Sequence, residues 1–287
     1  MADSMPAAVT FDLWQTLIFE RDGSAKSGMR RKIRAEYGEE ALSQLGYSVS
    51  RATIDRQLRE LSDEITRGHD RGLDRRYEDW IRLLVERIDP ELPDRIGATG
   101  METFGAIIDQ SFIESPPQLL DGTIEVLDLL SGSGLKIGLI SNTGLTSPAT
   151  YKKWFSRIDL LGRFDYMAFS NDLAVAKPSR QIFDATLTRL GVPASRALHV
   201  GDNLHTDVAG AASDPAEVTV KHRGPSGTVV SEVYNGGAGN VQRDASGDYH
   251  LDIDVDTAGR WYWRVEGVDT PRAAGERAFD VRGSQFP

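Results

Sequence analysis

The chain has 287 residues, a net charge of -10 and no cysteine. The acidic balance argues against nucleic acid or an anionic membrane as the main partner. The lack of cysteine excludes disulfides, thiolate zinc sites and a cysteine nucleophile. No apolar run reaches the length of a membrane span, and the first residues, MADSMPAAV, lack the regions of a signal peptide. These features predict a cytoplasmic protein that binds neither nucleic acid nor membrane.

An apolar strand at residues 7–11 is followed, from about residue 24 to residue 112, by a stretch with helical patterns. Two apolar stripes at helical spacing support this prediction, one of Ile54, Leu58, Leu61 and Ile65 and one of Phe104, Ile107, Ile108 and Phe112. Thr53 precedes the first stripe and is the expected N-cap of its helix.

Strands and helices then alternate along the chain. The segments GTIEVLDLLSGSG and RQIFDATLTRLG have helical patterns, whereas LKIGLI and ALHV have the pattern of buried strands. This alternation predicts an α/β fold with a doubly wound parallel sheet. The helical block lies between the first strand and the others, as an insertion would. We therefore expect a core of residues 1–18 and 114–212 and an inserted helical domain of residues 19–113.

The chain changes character again after about residue 212. The segment GDYHLDIDVD alternates apolar and polar residues, GRWYWRVEG places its tryptophans on one face, and turn signals recur at short spacing. This predicts a small all-β sandwich over residues 213–287. The pattern resembles immunoglobulin-like modules, which implies that this segment binds another protein. The apolar run EVTV is either an edge strand of the preceding sheet or the first strand of the module.

Two features of the β-rich segment have competing interpretations. Asp252, Asp254 and Asp256 alternate along one strand face, which suggests Ca²⁺ binding, but such a row is more often a solvated edge that resists aggregation. Tyr262 alternates with the neighbouring tryptophans and is expected to be exposed, where it would mark a contact surface.

Four short motifs fall at predicted strand ends or helix starts. They are FDLWQTL with Asp12 and Thr16, LISNTG with Ser141 and Asn142, AKPSRQIF with Lys177, and HVGDNLHTDVAGA with Asp202 and Asp207. Pro178 is expected to begin a helix. Each motif is weak alone, because a lysine before a proline is usually solvated and an aspartate in a turn often caps a helix. Their shared placement matters, because open α/β sheets bind ligands at the carboxyl ends of their strands.

The order of these motifs resembles the haloacid dehalogenase superfamily, which consists mostly of phosphatases and other phosphoryl-transfer enzymes. The likeness covers residues 5–212, and the helical insertion matches the family's cap domain. The resemblance implies that Asp12 is the nucleophile, that Ser141 bonds the transferred group and that Lys177 balances its charge. It also implies a Mg²⁺ ion held by Asp12, Asp202 and the backbone carbonyl of Trp14, with Asp207 in a supporting position.

The chemistry of these residue types agrees with the resemblance. A carboxylate that attacks phosphorus faces an anion, so it needs a cation and hydrogen-bond donors around the transferring oxygens. Mg²⁺ prefers hard oxygen ligands, which two aspartates and a carbonyl supply. The expected substrate is a small anionic molecule, a phosphate ester, and Thr16 and Asn142 are expected to contact it.

Trp14 departs from the family pattern. The family's phosphatases have an aspartate two residues after the nucleophile, where it serves as general acid and base; an indole only donates a hydrogen bond. Gln15 also replaces the usual glycine of that turn.

Three interpretations of Trp14 follow. The protein is a phosphatase that is slow or acts on esters whose leaving group needs no proton, a catalytically silent binding module, or an enzyme that releases halide. The family's 2-haloacid dehalogenases carry an aromatic residue at this position, but they need no metal and lack the Gly201-Asp202 pair. Arg71, Arg75 and Arg76 of the cap either meet an anionic substrate or, more often in such positions, form a solvated face.

Overall fold

The computed structural model describes residues 6–20, 24–212, 217–223, 225–235, 241–245, 248–250, 259–267 and 272–281. The strands are β1 (Ala8–Phe11), β2 (Ile18–Phe19), β3 (Gln118–Leu119), β4 (Lys136–Ser141), β5 (Tyr166–Phe169), β6 (Ala197–Val200), β7 (Glu217–Arg223), β8 (Val229–Asn235), β9 (Gln242–Ala245), β10 (Asp248–His250), β11 (Gly259–Gly267) and β12 (Arg272–Val281). The helices are α1 (Ser24–Gln44), α2 (Arg51–His69), α3 (Tyr77–Ile88), α4 (Leu92–Glu114), α5 (Thr123–Gly132), α6 (Pro148–Arg157), α7 (Ser170–Leu173), α8 (Arg180–Leu190), a π-helix (Leu204–Ala209) and α9 (Gly210–Ala212).

Eight of the described strands form one sheet, in the order β5-β4-β1-β6-β12-β11-β7-β8. The pairs from β5 to β12 are parallel, and the pairs from β12 to β8 are antiparallel. In β4 every residue from Ile137 to Ser141 is buried, because helices cover both faces of the parallel half. This burial accounts for the unbroken apolar sequence LKIGLI, and the predicted α/β core with a parallel sheet is confirmed.

The strands after residue 212 extend the core sheet. Residues 272–274 of β12 pair in parallel with residues 198–200 of β6, and β11 pairs with β12 and β7 on its two sides. The predicted separate all-β sandwich is therefore not confirmed. EVTV begins β7, the first strand after residue 212. β7 lies between β11 and β8 and is separated from β6 by two strands, so the edge-strand alternative for this run is wrong.

The other features of that segment have separate outcomes. Asp252, Asp254 and Asp256 lie outside the described residues, so their role stays a prediction. Tyr262 lies in β11, an inner strand of the sheet, opposite Ala278 and Arg223. That Tyr262 marks a contact surface also stays a prediction.

Helices α1 to α4 pack into a four-helix insertion between β2 and β3, with an apolar core of its own. That core includes Leu42, Ile54, Leu58, Leu61, Trp80, Leu84, Phe104 and Ile108, all buried. The expected N-cap at Thr53 is wrong: α2 begins at Arg51, and Ser50 is the cap, whose hydroxyl accepts a hydrogen bond from the Thr53 amide at 3.3 Å. Among the described residues, no helix is both long and apolar enough to cross a bilayer.

Aromatic rings join the insertion to the sheet. Phe112, near the end of α4, lies 4.7 Å from the ring of Tyr151 and 5.5 Å from that of Trp154, both on α6. Tyr151 in turn stacks on Phe169 of β5 at 5.3 Å. Aromatic pairs of this kind stabilise contacts beyond the area that they bury, so the end of α4 is held firmly against the core.

The structure gives a direct test of whether the last strands form an independent module. A fragment of residues 1–212 would leave β6 without its β12 neighbour, so we expect its melting temperature to fall by roughly 5 °C or more. Thermal denaturation of the fragment and of the full chain measures the difference. Equal melting temperatures would contradict the shared sheet and restore the separate module.

Candidate active site

Asp12 follows β1 directly, at the carboxyl end of the parallel sheet. Its backbone amide donates a hydrogen bond of 2.8 Å to the Val200 carbonyl at the end of β6, which fixes the point where the chain leaves the sheet. The residue is 6% exposed. The predicted nucleophile therefore lies in a nearly dry position between two strand ends.

The Lys177 ammonium group joins two aspartates. Its Nζ lies 2.5 Å from Oδ1 of Asp12 and 2.6 Å from Oδ1 of Asp207. Lys177 and Asp207 are each 1% exposed. Burial opposes charge on the ammonium group, but the two carboxylates outweigh it and hold the Lys177 pKa above its ordinary value. A fixed positive charge therefore lies beside Asp12, where a transferring anion would need it.

The two aspartates differ in their protonation. Burial raises the pKa of Asp12 to about 7, and the Asp207 carboxylate adds to the rise while Lys177 opposes it. Burial acts in the same direction on Asp207, but Lys177 and His199 outweigh it and hold the Asp207 pKa below its ordinary value. Asp207 is thus the constant counterion of Lys177, whereas Asp12 titrates near neutral pH.

A buried row of polar groups supports Asp207 from behind. His199 Nε2 lies 3.3 Å from Asp207 Oδ1, and His199 Nδ1 lies 2.9 Å from the Thr10 hydroxyl. Burial lowers the His199 pKa, and the neutral ring can donate to Asp207 while it accepts from Thr10. A Cβ on Gly201 would lie 2.3 Å from Asp207 Cγ, so this close approach requires glycine. His199 and Thr10 were not predicted as site residues, because in the sequence they are only residues of strands.

The structure brings the predicted metal-binding carboxylates together. One oxygen each of Asp12, Asp202 and Asp207 lie within 4.8 Å of one another. The Asp207 oxygens already accept from Lys177 and from the Asn203 amide, the latter at 3.0 Å, which suits a supporting position rather than direct contact with an ion. Carboxylate oxygens at this spacing match the donors that Mg²⁺ prefers, so the residues present fit that ion.

The remaining predicted residues surround Asp12 and Lys177. Ser141 is fully buried at the end of β4. The Thr16 hydroxyl lies 3.4 Å from Asp12 Oδ2, a long contact. Asn142 accepts from the Lys177 amide at 2.8 Å and donates to the Lys177 carbonyl at 2.9 Å. These contacts give Asn142 a role in positioning Lys177, and its contact with a substrate stays a prediction.

The AKPSRQIF motif departs from expectation in one detail. The helix after Lys177 begins at Arg180 with Ser179 as its N-cap, so Pro178 lies before the helix and does not start it. The prediction that Pro178 begins the helix is wrong, because the hydroxyl of Ser179 caps the helix one residue later.

Trp14 is held by two contacts. Its indole Nε1 donates a hydrogen bond of 3.1 Å to the Tyr151 hydroxyl, and the Arg30 guanidinium lies over the ring, 5.4 Å from its centroid. Burial raises the pKa of Tyr151 to about 12, so this phenol is a poor proton donor. Gln15 has a φ of 62° and occupies the left-handed conformation that favours glycine. The turn thus keeps a glycine-like backbone although its side chains differ.

A cavity of about 520 Å³ lies between the cap helices α1 and α2 and the loop after β4. Arginines dominate its polar lining, which includes Arg30, Arg31, Arg34, Arg59, Asp63, His69 and Asn142. The three arginines singled out from the sequence, Arg71, Arg75 and Arg76, are exposed and do not line this cavity. They match the solvated-face interpretation.

The Asp12 pKa predicts a pH-dependent effect of Asp12→Asn on the metal-free protein. Between the ordinary value of 3.8 and the folded value of about 7, the folded protein holds a proton that the unfolded chain has released. This stability is present below the ordinary value and is lost as pH rises through the folded value. Because asparagine does not titrate, the melting temperature of the variant relative to wild type should rise from about pH 5 to about pH 8.

Thermal denaturation in a chelator measures this difference. Asp184→Asn, which removes an exposed carboxylate on α8, is the matched control and should show no comparable trend. A difference for Asp12→Asn that stays constant with pH would contradict the raised pKa.

Comparison with known proteins agrees with the geometry. A glyceraldehyde 3-phosphate phosphatase of Methanopyrus kandleri is 31% identical over 225 residues, which cover 76% of this chain and 84% of that protein. The pyrimidine 5'-nucleotidase YjjG of Escherichia coli is 34% identical over 107 residues, covering 36% of this chain and 46% of that protein.

A likeness in structure accompanies these matches. A crystal structure of a 2-haloacid dehalogenase from Pseudomonas syringae pv. Tomato DC3000 superimposes with a TM-score of 0.50 at 23% identity, covering 72% of this chain and 82% of that chain, which shows the fold alone. The haloacid dehalogenase-like hydrolase family matches residues 6–213, most of the described core and cap. The chain therefore belongs to the haloacid dehalogenase-like hydrolases.

Proposed function

We propose that the protein is a Mg²⁺-dependent phosphatase that hydrolyses a small phosphate ester through an aspartyl-phosphate intermediate on Asp12. One observation carries the proposal: the buried Asp12 carboxylate lies 2.5 Å from the Lys177 ammonium group and has an oxygen within 4.8 Å of an Asp202 oxygen. Three relatives are named glyceraldehyde 3-phosphate phosphatases, which supports hydrolysis of a phosphate ester.

The reaction would proceed in two transfers of the phosphoryl group. An Asp12 carboxylate oxygen bonds to phosphorus while the bond from phosphorus to the ester oxygen breaks, and that oxygen leaves with the electron pair. Water then attacks the phosphorus of the aspartyl phosphate, which releases inorganic phosphate and restores the carboxylate. Lys177 stabilises the negative charge on the transferring oxygens in both steps, and the buried Ser141 hydroxyl donates to one of them.

The acidic residues have divided roles in this proposal. Asp12, Asp202 and the Trp14 carbonyl would hold Mg²⁺, which when bound neutralises charge on the phosphoryl group. Asp207 holds Lys177 in place through the contact of 2.6 Å and keeps it charged. His199 and the Asn203 amide fix the Asp207 carboxylate in turn.

Trp14 restricts which esters the site can cleave quickly. Its indole nitrogen is committed to Tyr151, and neither ring supplies an efficient acid near neutral pH. Loss of a general acid–base group usually costs ~10²–10⁴ in rate. The favoured substrates are therefore phosphate esters whose leaving group departs without a proton.

Two other functions are also compatible with a tryptophan at position 14. A catalytically silent domain that binds a phosphorylated ligand would tolerate the loss of the acid–base group. Release of halide would not need that group at all. The cluster of Asp12, Asp202 and Asp207 favours the metal-dependent phosphatase, because halide release has no use for a divalent cation. A protein partner for residues 213–287, and the division of the chain into core, cap and C-terminal segments, remain predictions.

Paired substitutions at Asp12 and Asp202 test the proposed function. With p-nitrophenyl phosphate and Mg²⁺, the wild type should release p-nitrophenol and Asp12→Asn should not, because the amide is not a nucleophile. Mg²⁺ should raise the melting temperature of the wild type, since an ion that binds only the folded state stabilises it. Asp202→Ala should remove that shift.

Asp172→Asn, which alters an exposed aspartate on α7, serves as the control and should keep both activity and shift. Equal turnover by wild type and Asp12→Asn would contradict the proposal. Metal-independent release of halide from a 2-haloacid would favour the dehalogenase alternative.

The substitution Trp14→Asp tests the missing acid–base group. An aspartate at this position should speed hydrolysis of alkyl phosphates by roughly 10–100-fold, with a smaller gain for aryl phosphates, whose leaving group needs no proton. The gain stays below the full effect for two reasons. The nearby positive charge of Arg30 favours the ionised carboxylate over the acid, and the space left by the indole will let the new side chain move. Loss of the packed ring is expected to cost roughly 3 kcal/mol of stability.

Trp14→Phe is the matched control, because it keeps a ring under Arg30 and supplies no acid. It should show no gain on alkyl phosphates. A folded, Mg²⁺-binding Trp14→Asp variant without a gain on any ester would argue for the silent binding domain.

A further inference from the structure

The arginine-rich cavity holds more positive charge than its own carboxylates neutralise. Arg31 and Arg59 share Asp55, at 2.9 and 3.1 Å. Arg30 is paired with Glu20 and donates to a backbone carbonyl at 2.9 Å. These three guanidinium groups therefore have partners within the protein, and they account for most of the cationic lining.

Arg34 is different from these three. Among the ion pairs of the described residues, none includes Arg34, and its Nε is buried without a hydrogen-bond partner. Its Nη2 donates to the Leu145 carbonyl at 2.6 Å and to the Thr146 hydroxyl at 2.9 Å. The guanidinium is thus anchored through Nη2 to the loop after β4, while Nε keeps an unused donor.

A guanidinium held partly away from water without an ion pair is expensive, and the buried Asp109 carboxylate favours the charge on Arg34 only from beyond salt-bridge distance. A charge removed from water needs a partner of opposite sign or a full set of hydrogen bonds. Burial lowers the pKa of Arg34, which reflects the same penalty, yet a guanidinium stays charged at any physiological pH. A ligand anion would supply the missing partner and the missing acceptor together.

The cavity is connected to the catalytic residues through its lining. Asn142, which lines it, directly follows Ser141 and holds the backbone of Lys177. Arg30, on the same wall, lies over the Trp14 ring. A volume of about 520 Å³ is in the range of pockets for small metabolites.

We propose that this cavity binds a carboxylate on the far end of the phosphate ester, with Arg34 as the residue that selects it. The proposal rests on the proposed phosphatase function and narrows its substrate to a phosphorylated carboxylic acid. One unpaired guanidinium matches the single charge of a carboxylate better than the nearly double charge of a second phosphate. The relatives named as glyceraldehyde 3-phosphate phosphatases act on an aldehyde phosphate, so a preference for a carboxylate would distinguish this chain from them.

Two three-carbon esters isolate the carboxylate. Both are alkyl phosphates whose leaving oxygen needs a proton, so the lack of an acid–base group slows both alike and cancels in the ratio of their kcat/KM values. Glycerol 3-phosphate and 3-phosphoglycerate share a skeleton and differ at the far carbon, which is an alcohol in one and a carboxylate in the other. We expect the wild type to prefer 3-phosphoglycerate in kcat/KM, and Arg34→Gln to lower that preference by roughly 10–100-fold, mainly through KM, because a charge-assisted hydrogen bond is lost. Arg34→Lys should keep part of the preference.

Arg95→Gln is the matched control. It removes an arginine of the cap that is paired with Asp89 and Glu91 outside the cavity, and it should leave the preference unchanged. An unchanged preference in Arg34→Gln, or a wild type that prefers glycerol 3-phosphate, would overturn the proposal. If Arg34→Gln does not fold, the wild-type preference decides alone. A second pair of substrates tests the choice of anion. If the wild type prefers fructose 1,6-bisphosphate over fructose 6-phosphate by a larger factor than it prefers 3-phosphoglycerate over glycerol 3-phosphate, the choice of a carboxylate would be overturned.

A binding measurement separates this proposal from the proposed function. In an Asp12→Asn background, which cannot turn over substrate, 3-phosphoglycerate should raise the melting temperature more than glycerol 3-phosphate does. Adding Arg34→Gln should remove the excess. If the excess shift is present but no turnover depends on Asp12, the phosphatase function is rejected and the anion site is kept. If turnover depends on Asp12 but the excess shift is absent, the anion site is rejected and the phosphatase function is kept.

Discussion

The bridge from the Lys177 ammonium group to Asp12 and Asp207 is the contact on which the site depends. A lysine that is 1% exposed stays charged only because two carboxylates lie within 2.6 Å of it. Asn142 holds its backbone, and Gly201 leaves the space that Asp207 fills. Strand ends β1, β4 and β6 must therefore lie in register before the charges can balance. The pairing of the parallel strands and the charge balance of the site therefore depend on each other.

The sequence predicted the parts of the site that depend on local pattern. Asp12, Ser141 and Asp202 follow short apolar strands, and parallel strands bring their carboxyl ends to one edge. Asp12, Asp202 and Asp207 lie close together in the structure, while the catalytic and metal-binding roles of these residues stay predictions. The cap helices could also be predicted from the sequence, because their apolar stripes repeat at helical spacing.

What the sequence could not predict depends on contacts between distant segments. His199 reads as one residue of a strand, and only folding places it against Thr10, 189 residues away. Arg34 reads as one of many basic residues on a helix, and only the folded structure shows that its Nε has no hydrogen-bond partner. The place of the last strands was missed for the same reason: their alternating pattern fixes strand character but carries no information about which neighbour each strand selects.

The pairing of β12 with β6 has a consequence for how the chain folds. Residues 272–274 close the edge of a strand that ends at Val200, and the chain in between makes β7, β8 and β11 first. Contacts between residues this far apart in sequence form slowly, because the entropy cost of closing a long loop comes before the contacts can stabilise the chain. During synthesis, the strand that leads to Asp202 would keep an open edge until the ribosome has made β12. A nascent chain stalled before that point would thus expose a ready template for pairing with other chains.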